Sequence, residues 1–448
     1  MKKTISVLSA CFLLVGALAG CGGSPSKAEE GKGTSSLSNG SSDTSKDTSA
    51  ESSEEQEPVT LRLMQYKPEI TQQMHALADE YHRQNPHVTV EVEILQQDYK
   101  PVLKSKINAG TMPDIFMTSG YMDNLIYKEY SYDFKDDAIL DNFIESTLIP
   151  ATQDGSIYGL PMLVEGYGII YNKDIFEECG ISKLPETLDE LETAAKTIQE
   201  KGYTPFANGF KEVWIPSHIM TKYYASEYYE NQSESMSTYE FSQKIPDELS
   251  FADMSIMQQT FDCLDLVTKY GNDRPVETDV SQQISLFAEE KAAMISNVSG
   301  NEASIKMINP EANIGFMPVP GNDPDQSKLM VDANTMYCLN KDSENFDEAY
   351  AFLEWMFTSD YGEKFIVEEC GFIPTVKGWK LPDAMLAQEI STYMNEGRTY
   401  ACAHGFYPDG YFDQSGAVLQ TYVVGTNDRE ATNQQLNQVW KKLAKSQE

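Results

Sequence analysis

The chain has 448 residues, enough for two or three domains and a sizeable core. Hydrophobic residues make up 41% of it and charged residues 23%, which excludes a wholly disordered chain. Acids outnumber Lys and Arg by 69 to 34, and the net charge of −35 argues against nucleic acid or an anionic membrane surface as partner and for a neutral or cationic ligand.

Lys2 and Lys3 open the chain, an apolar stretch runs from Ile5 to Ala19, and Leu18-Ala19-Gly20-Cys21 closes it. A short positive region followed by an apolar run of this length makes residues 1–20 a signal peptide rather than a membrane anchor. The close resembles the lipobox of bacterial lipoproteins. That resemblance makes Cys21 the lipid-bearing N-terminus of the mature chain, held on the extracellular face of the cell membrane. The simpler alternative is a plain signal peptide with an incidental Cys. Residues 22–57 then hold eleven Ser, five Gly and eight acids with almost no large apolar side chain, so 21–57 reads as a disordered tether. As a flexible coil it spans roughly 30–36 Å, enough for a lipid-anchored body to clear the membrane.

From Pro58 the pattern is that of a folded chain. Val59, Leu61 and Leu63 alternate with Thr60 and Arg62, the period of a half-buried strand. Ile70, Met74, Leu77, Ala78 and Tyr81 follow helical spacing, and Asn85-Pro86 stops that helix. Val88, Val90, Val92 and Ile94 give a second strand, a further helix runs to about Ala109-Gly110, and Pro113 to Met117 reads as a third strand. This βαβαβ order predicts a parallel sheet covered by helices. Ligand is then expected beyond the carboxyl ends of the strands, at Gln65-Tyr66-Lys67 and Ser119-Gly120-Tyr121. Thr187-Leu188-Asp189-Glu190 predicts a capping box opening a helix with Leu188, Leu191, Ala195 and Ile198 on its apolar face and Gly202 past its end. Met294-Ile295, after Ala292-Ala293, reads as a buried strand. Phe346, Ala349, Phe352, Leu353, Met356 and Phe357 mark a strongly amphipathic helix, and Leu436, Val439, Trp440 and Leu443 mark the last one.

Cys179, Cys263, Cys338, Cys370 and Cys402 are scattered, odd in number and without a C-x-x-C pair. They read as core fillers, with one internal disulfide left open, and not as a disulfide framework or zinc site. The five His, at 75, 82, 87, 218 and 404, show no metal-ligand spacing and read as surface residues. Asp323 and Asp325 read as an acidic turn rather than a calcium loop. Gly-x-Ser-x-Gly, P-loop and His-Glu-x-x-His sequences are absent, and no motif singles out an acid–base pair among 69 carboxylates. No enzyme activity, cofactor or metal is expected.

Several segments together carry a resemblance. Tyr158-Gly159-Leu160-Pro161, Glu165, Tyr171-Asn172-Lys173-Asp174 with Phe176, and Cys179-Gly180-Ile181 lead through Pro185 into the capped helix. Ala109-Gly110 with Pro113-Asp114-Ile115, Glu290-Lys291-Ala292-Ala293-Met294, Phe316-Met317-Pro318-Val319-Pro320, Gly371-Phe372-Ile373-Pro374 and Gly425 follow the same order. In combination the chain resembles the bacterial extracellular solute-binding proteins of ABC importers, in their maltose-binding-protein-like, oligosaccharide-binding branch. The resemblance implies an α/β fold of the two-lobe, periplasmic-binding-protein-like type II class, with a hinge and an interlobe ligand cleft. By analogy lobe I takes 58–164 plus 319–377 and lobe II takes 165–318 plus 378–448. It also implies capture of a neutral sugar by lobe closure and delivery to a membrane permease, by a protein expected to be a monomer.

Sugar rings have apolar faces edged by hydroxyls, so their sites want aromatic platforms and short polar groups. Trp355 and Trp440 lie on apolar helix faces and read as core. Trp214, after Asn208-Gly209, falls where the family contributes cleft residues, and Trp379 lies near a lobe crossing. Glu165, followed by Gly166 and Tyr167, falls where oligosaccharide binders place a hydroxyl-accepting carboxylate. Tyr66, Ser119 and Tyr121 stand at strand ends. Tyr411 and Phe412 stand where relatives supply a stacking aromatic, and Asp332 and Asn334 lie in a polar break before Met336-Tyr337. Where many relatives carry a Trp after the buried strand, this chain reads Ser296-Asn297-Val298-Ser299-Gly300-Asn301, with Asn297 as a candidate hydroxyl partner. A charged ligand would want a cationic cluster, for which Lys67, Lys211 and Arg398 are the candidates. The Tyr223-Tyr224 and Tyr228-Tyr229 pairs bring in the tyrosine ligands of iron-binding relatives, although their helical spacing favours packing. The alternatives are a surface glycan-binding lipoprotein uncoupled from transport, and a binder of iron or a polyamine.

Overall fold

The computed structural model describes residues 57–95, 98–231 and 255–446. The expected signal peptide, Cys21 and all of the tether but Glu57 lie outside the described residues, as do the side chains of Tyr228 and Tyr229.

β1 (Val59–Gln65), β2 (Val88–Ile94) and β3 (Ile115–Thr118) pair in parallel in the order β2-β1-β3. The connecting helices, Thr71–Gln84 and Tyr99–Asn108, bury Met74, Leu77, Ala78 and Tyr81 in one case and Tyr99 and Leu103 in the other. A two-stranded hairpin, β4 (Thr152–Gln153) and β5 (Ser156–Ile157), stands apart from the main sheet. The main sheet is continued by two long strands, β6 (Leu160–Asn172) and, beyond it in sequence, β10 (Leu329–Leu339), which run antiparallel to each other. β10 pairs with β3, and β6 pairs with β8 (Ala292–Val298), which pairs in turn with β7 (Thr204–Phe206). β9 (Ile314–Met317) joins β6 and β11 (Thr399–Tyr400) joins β10, giving nine strands in one sheet among the described residues.

The two long strands matter because they pass between cores. Leu160, Met162 and Leu163 of β6 and Met336 to Leu339 of β10 pack with β1, β3 and the Phe346–Thr358 helix in a first core. Tyr167, Ile169 and Tyr171 of β6 pack in a second core with Met330, Val319 and the Trp214–Asn231, Tyr411–Val423 and Arg429–Lys445 helices. A third group holds Val164, Ile170, Ile295, Phe316 and Leu329 against the Met385–Asn395 helix. Near the crossing, the β6–β10 register shifts between Asp332 and Thr335 and again between Thr335 and Met336. Such irregularities re-aim side chains.

Thr187 caps the Leu188–Glu200 helix by accepting from Glu190 N at 3.2 Å. The Glu190 carboxylate returns its bond to Glu186 N at 2.8 Å, one residue upstream of the expected capping box. Asp323 caps the 3-10 turn Pro324–Gln326, which accounts for the acidic turn. All five cysteines from Cys179 onward are buried and unpaired. Trp440 is fully buried, Trp355 half-buried. Among the described residues no helix is long and apolar enough to cross a membrane.

Candidate ligand-binding cleft

A cavity of about 800 Å³ opens between side chains carried by the first and second cores. Its size lies within the range of small-molecule sites. The ends of β1 and β3 supply Tyr66, Lys67, Ser119 and Gly120, and the β6–β10 irregularity supplies Glu165, Gly166, Asn334 and Thr335. Trp214 and His218 come from one turn of a helix, and the segment from Cys402 to Asp413 completes the opposite wall.

At one place the cleft is lined by a closed ionic group. Lys67 Nζ lies 3.0 and 3.2 Å from the Glu165 carboxylate oxygens and 2.9 Å from Glu69 Oε1. The Lys67 side chain is only 6% exposed. Burial works against its charge, but Glu165 and Glu69 more than offset it and hold the lysine pKa above its ordinary value. Phe372 lies 5.7 Å from the same ammonium. It is brought there by the π turn Lys364–Glu369 and by Gly371, which takes φ 68°. Gly300 leaves room on the other side: a Cβ there would stand 2.6 Å from Glu165 Oε1, so the carboxylate would have to shift.

A second ionic group joins the two walls. Lys100 Nζ lies 2.6 Å from Asp123 Oδ1 and 3.7 Å from Asp409 Oδ1, and Lys104 also pairs with Asp409. Burial disfavours the Lys100 ammonium, yet Asp123 and Asp409 raise its pKa overall; burial likewise opposes the Asp409 charge, but Lys100 and Lys104 hold that carboxyl below its usual range.

The rest of the far wall is aromatic. His218 stacks on Tyr167 at 4.4 Å and 14°, and meets Trp214 and Phe412 edge-on at 5.7 and 4.8 Å. His404 stands 5.3 Å from His218 and 4.6 Å from Phe412. Burial pushes the His218 imidazole well below its ordinary pKa, and burial together with Lys100 brings His404 down to about 4, so both rings are neutral near pH 7. Flat rings beside neutral nitrogen edges suit a ligand with apolar faces and hydroxyl rims.

Seven of the thirteen expected ligand contacts line this cavity: Tyr66, Ser119, Glu165, Tyr167, Trp214, Asn334 and Phe412. The other six do not, each for a physical reason. Tyr121, in a rare backbone conformation with φ 44°, lays its ring against Phe406 at 4.5 Å and donates its hydroxyl to Asp332 at 3.1 Å. Gly405 permits this approach, since a Cβ would stand 2.3 Å from the Tyr121 ring. Asp332 is spent on that hydroxyl and on the amides of Ala333 and Cys402, and burial pushes its carboxyl up to about 6. Asn208 is buried and donates to Val267 O at 2.7 Å. Asn297 is buried among Gln283, Val298 N and Asn301. Trp379 packs half-buried on the first core, and Tyr411 is fully buried 4.6 Å from Trp440. Of the other candidate cations Lys211 lines the cavity, exposed and 3.6 Å from Asp279, whereas Arg398 pairs with Glu186 and Glu396 and does not line it.

His218 and His404 correct the reading of all five histidines as surface residues; His75 and His82 are exposed, and His87 is half-buried. One signal for His218 was present: it follows Trp214 by four residues, and i,i+4 positions share a helix face. Among the described residues no group of three or more His, Cys, Asp or Glu is placed to hold a metal ion.

The sequence pattern of the bacterial extracellular solute-binding protein family matches residues 67–363. The chain is 25% identical over 330 residues to a multiple sugar-binding protein of Streptococcus mutans, covering 70% of this chain and 74% of the relative. It is 23% identical over 462 residues to the melibiose/raffinose/stachyose-binding protein MelE of Bacillus subtilis, covering 100% and 98%. Among solved structures, the solute-binding protein RafE in complex with raffinose superposes with a TM-score of 0.75 at 20% identity, over 86% of this chain and 99% of that one. A Bacillus licheniformis sugar transporter protein in complex with stachyose gives 0.74 at 20% identity, over 86% and 100%. The shared architecture is the two-lobe type II fold.

Proposed function

The chain belongs to the bacterial extracellular solute-binding proteins, and from that premise we propose that it captures a neutral oligosaccharide in the cleft and hands it to an ABC importer. The observation that carries this reading is the pairing of the cleft's buried cation, Lys67, with two carboxylates beside a wall of Trp214, His218 and Phe412. A phosphorylated or carboxylated solute would have to break that group to use Lys67, whereas a sugar needs only ring faces and hydrogen-bonding rims. Relatives that bind melibiose, raffinose and stachyose support the same class. Tyr66, Ser119, Glu165, Tyr167, Trp214, Asn334 and Phe412 are the proposed contacts. We place the lobe crossings near residue 164, within β10 near residue 333 rather than at 318, and near 377, because Val319 and Met330 pack with the second core. Cys21 carries the lipid and residues 21–57 form the tether in this proposal.

The test is thermal unfolding of the mature chain with raffinose, stachyose, melibiose, maltotriose and xylotriose, against iron, spermidine and a uronic-acid trisaccharide. A ligand at 100 times its dissociation constant adds about 2.7 kcal/mol, a visible shift. Stabilisation by a neutral sugar without cleavage products supports capture. Stabilisation only by iron or spermidine overturns the saccharide reading, and sugar cleavage overturns simple capture. Cys21→Ala is expected to release the protein from the membrane fraction. Deletion is expected to abolish uptake of the stabilising sugar; retained uptake would leave a surface glycan binder.

A further inference from the structure

The two cleft imidazoles are fixed by their neighbours in a way that assigns each ring nitrogen. His218 Nδ1 lies 3.0 Å from the Trp214 carbonyl oxygen, which only accepts, so Nδ1 carries the proton. Nε2 keeps its lone pair and has no partner among the described residues. Asn334 Nδ2, a donor, lies 3.3 Å from His404 Nε2, so that nitrogen accepts and the proton sits on Nδ1. His404 Nδ1 is buried and without a partner among the described residues. A buried donor left unmatched in a ring on the cleft wall calls for an acceptor. His218 is held by its stack on Tyr167, while His404 only leans on Phe412, 4.6 Å away and tilted by 33°.

We propose that His218 and His404 form an acceptor–donor pair that sets which sugar edge the aromatic side of the cleft accepts. Resting on the sugar reading of the cleft, the pair gives that reading a specificity: His218 Nε2 accepts from a ligand hydroxyl or amide N–H, and His404 Nδ1–H, enclosed in the sugar-free arrangement, donates to a ligand oxygen when sugar binding turns the ring toward the cavity. A carboxylate facing His218 meets a lone pair and is rejected, which selects neutral sugars over uronates. An edge lacking the donating hydroxyl leaves Nε2 unmatched and binds more weakly.

The experiment uses the mature chain labelled with 15N-histidine, with raffinose as first probe and then any neutral sugar that stabilises the chain in thermal unfolding. Before sugar, nitrogen chemical shifts are expected to show both rings neutral with the proton on Nδ1. On sugar addition the His218 Nε2 and His404 Nδ1 resonances move. His218→Phe and His404→Phe keep the ring packing and remove the nitrogens, and each is expected to weaken sugar binding about tenfold. A deoxy-sugar lacking the recognised hydroxyl should lose affinity for the wild-type chain and lose none further for His218→Phe. Sugar binding to both Phe variants within twofold of wild type, or unmoved nitrogen resonances in the sugar-bound wild type, overturns the pair and leaves the sugar reading standing. Absence of binding by every neutral sugar overturns both. Should a Phe variant unfold, the wild-type resonances decide the matter.

Discussion

Lys67 shows how one side chain links stability to the shape of the cleft. Two carboxylates converge on its ammonium, and both partner side chains are under 15% exposed, at 13% for Glu69 and 14% for Glu165. Removing one member of a buried ionic group leaves the others uncompensated. Lys67→Met is therefore expected to destabilise the chain by about 3–5 kcal/mol in chemical unfolding, and adding Glu165→Gln should recover part of the loss because one stranded charge is gone. Two other groups make stability depend on pH in opposite directions. His404 titrates at about 4 when folded against 6.5 ordinarily, so the unfolded chain takes up the proton first and stability falls as pH drops from about 6.5 toward 4. Asp332 titrates at about 6 against 3.8, so the folded chain takes up the proton first and stability falls as pH rises across that window. Asp332→Asn removes the second effect. Its unfolding midpoint should fall more steeply than the wild type's between about pH 6 and 4. Equal slopes would contradict the Asp332 assignment.

Elements differ in how much of themselves they write into local sequence. The Leu188–Glu200 helix is legible because an apolar stripe, a Thr cap and Gly202 all point the same way. Thr187→Ala is expected to cost about 1 kcal/mol, read as a shift in the unfolding midpoint, through loss of the bond to Glu190 N. β1 and β2 were equally legible from alternation, and β3 from the apolar run Ile115-Phe116-Met117. The cleft was legible only in part, and the division has a cause. Tyr66, Glu165 and Trp214 stand at element ends or in a matched motif, where local pattern marks them. Tyr121 stands at a comparable strand end, yet a long-range fit onto Gly405 takes its ring away from the cavity. Asn297 was drawn into a buried network with Gln283, fourteen residues upstream, which no local period announces. His404 becomes a cleft residue only because its segment meets Asn334 of β10, a juxtaposition made by the fold.

For the molecule as a whole, a charge of −35 sets a background of self-repulsion in which every cation has a choice of acids. Two of those cations join separate parts of the structure. Lys100 and Lys104 ride on the helix whose Tyr99 and Leu103 pack in the first core, while Asp409 lies between Tyr407 and Tyr411 of the second. These pairs form only when the two sides stand as close as they do here, so they stabilise the approached arrangement and not a separated one. A ligand that bridges both sides then draws on an equilibrium the ion pairs have already biased, and weakening them lowers the binding-competent fraction. The lysines are 36% and 44% exposed, so the effect is modest after solvent screening. Asp409→Asn is expected to weaken sugar binding by about 1 kcal/mol, roughly fivefold, in titration calorimetry at low salt. The wild type should lose most of that advantage as salt is raised past the point where exposed pairs are screened, and the variant should not. Scattering of the sugar-free protein supplies the structural reading: a larger radius of gyration in Asp409→Asn than in the wild type at low salt, converging at high salt. Equal affinities and equal radii at low salt would mean that the pairs follow the approach of the two sides without favouring it.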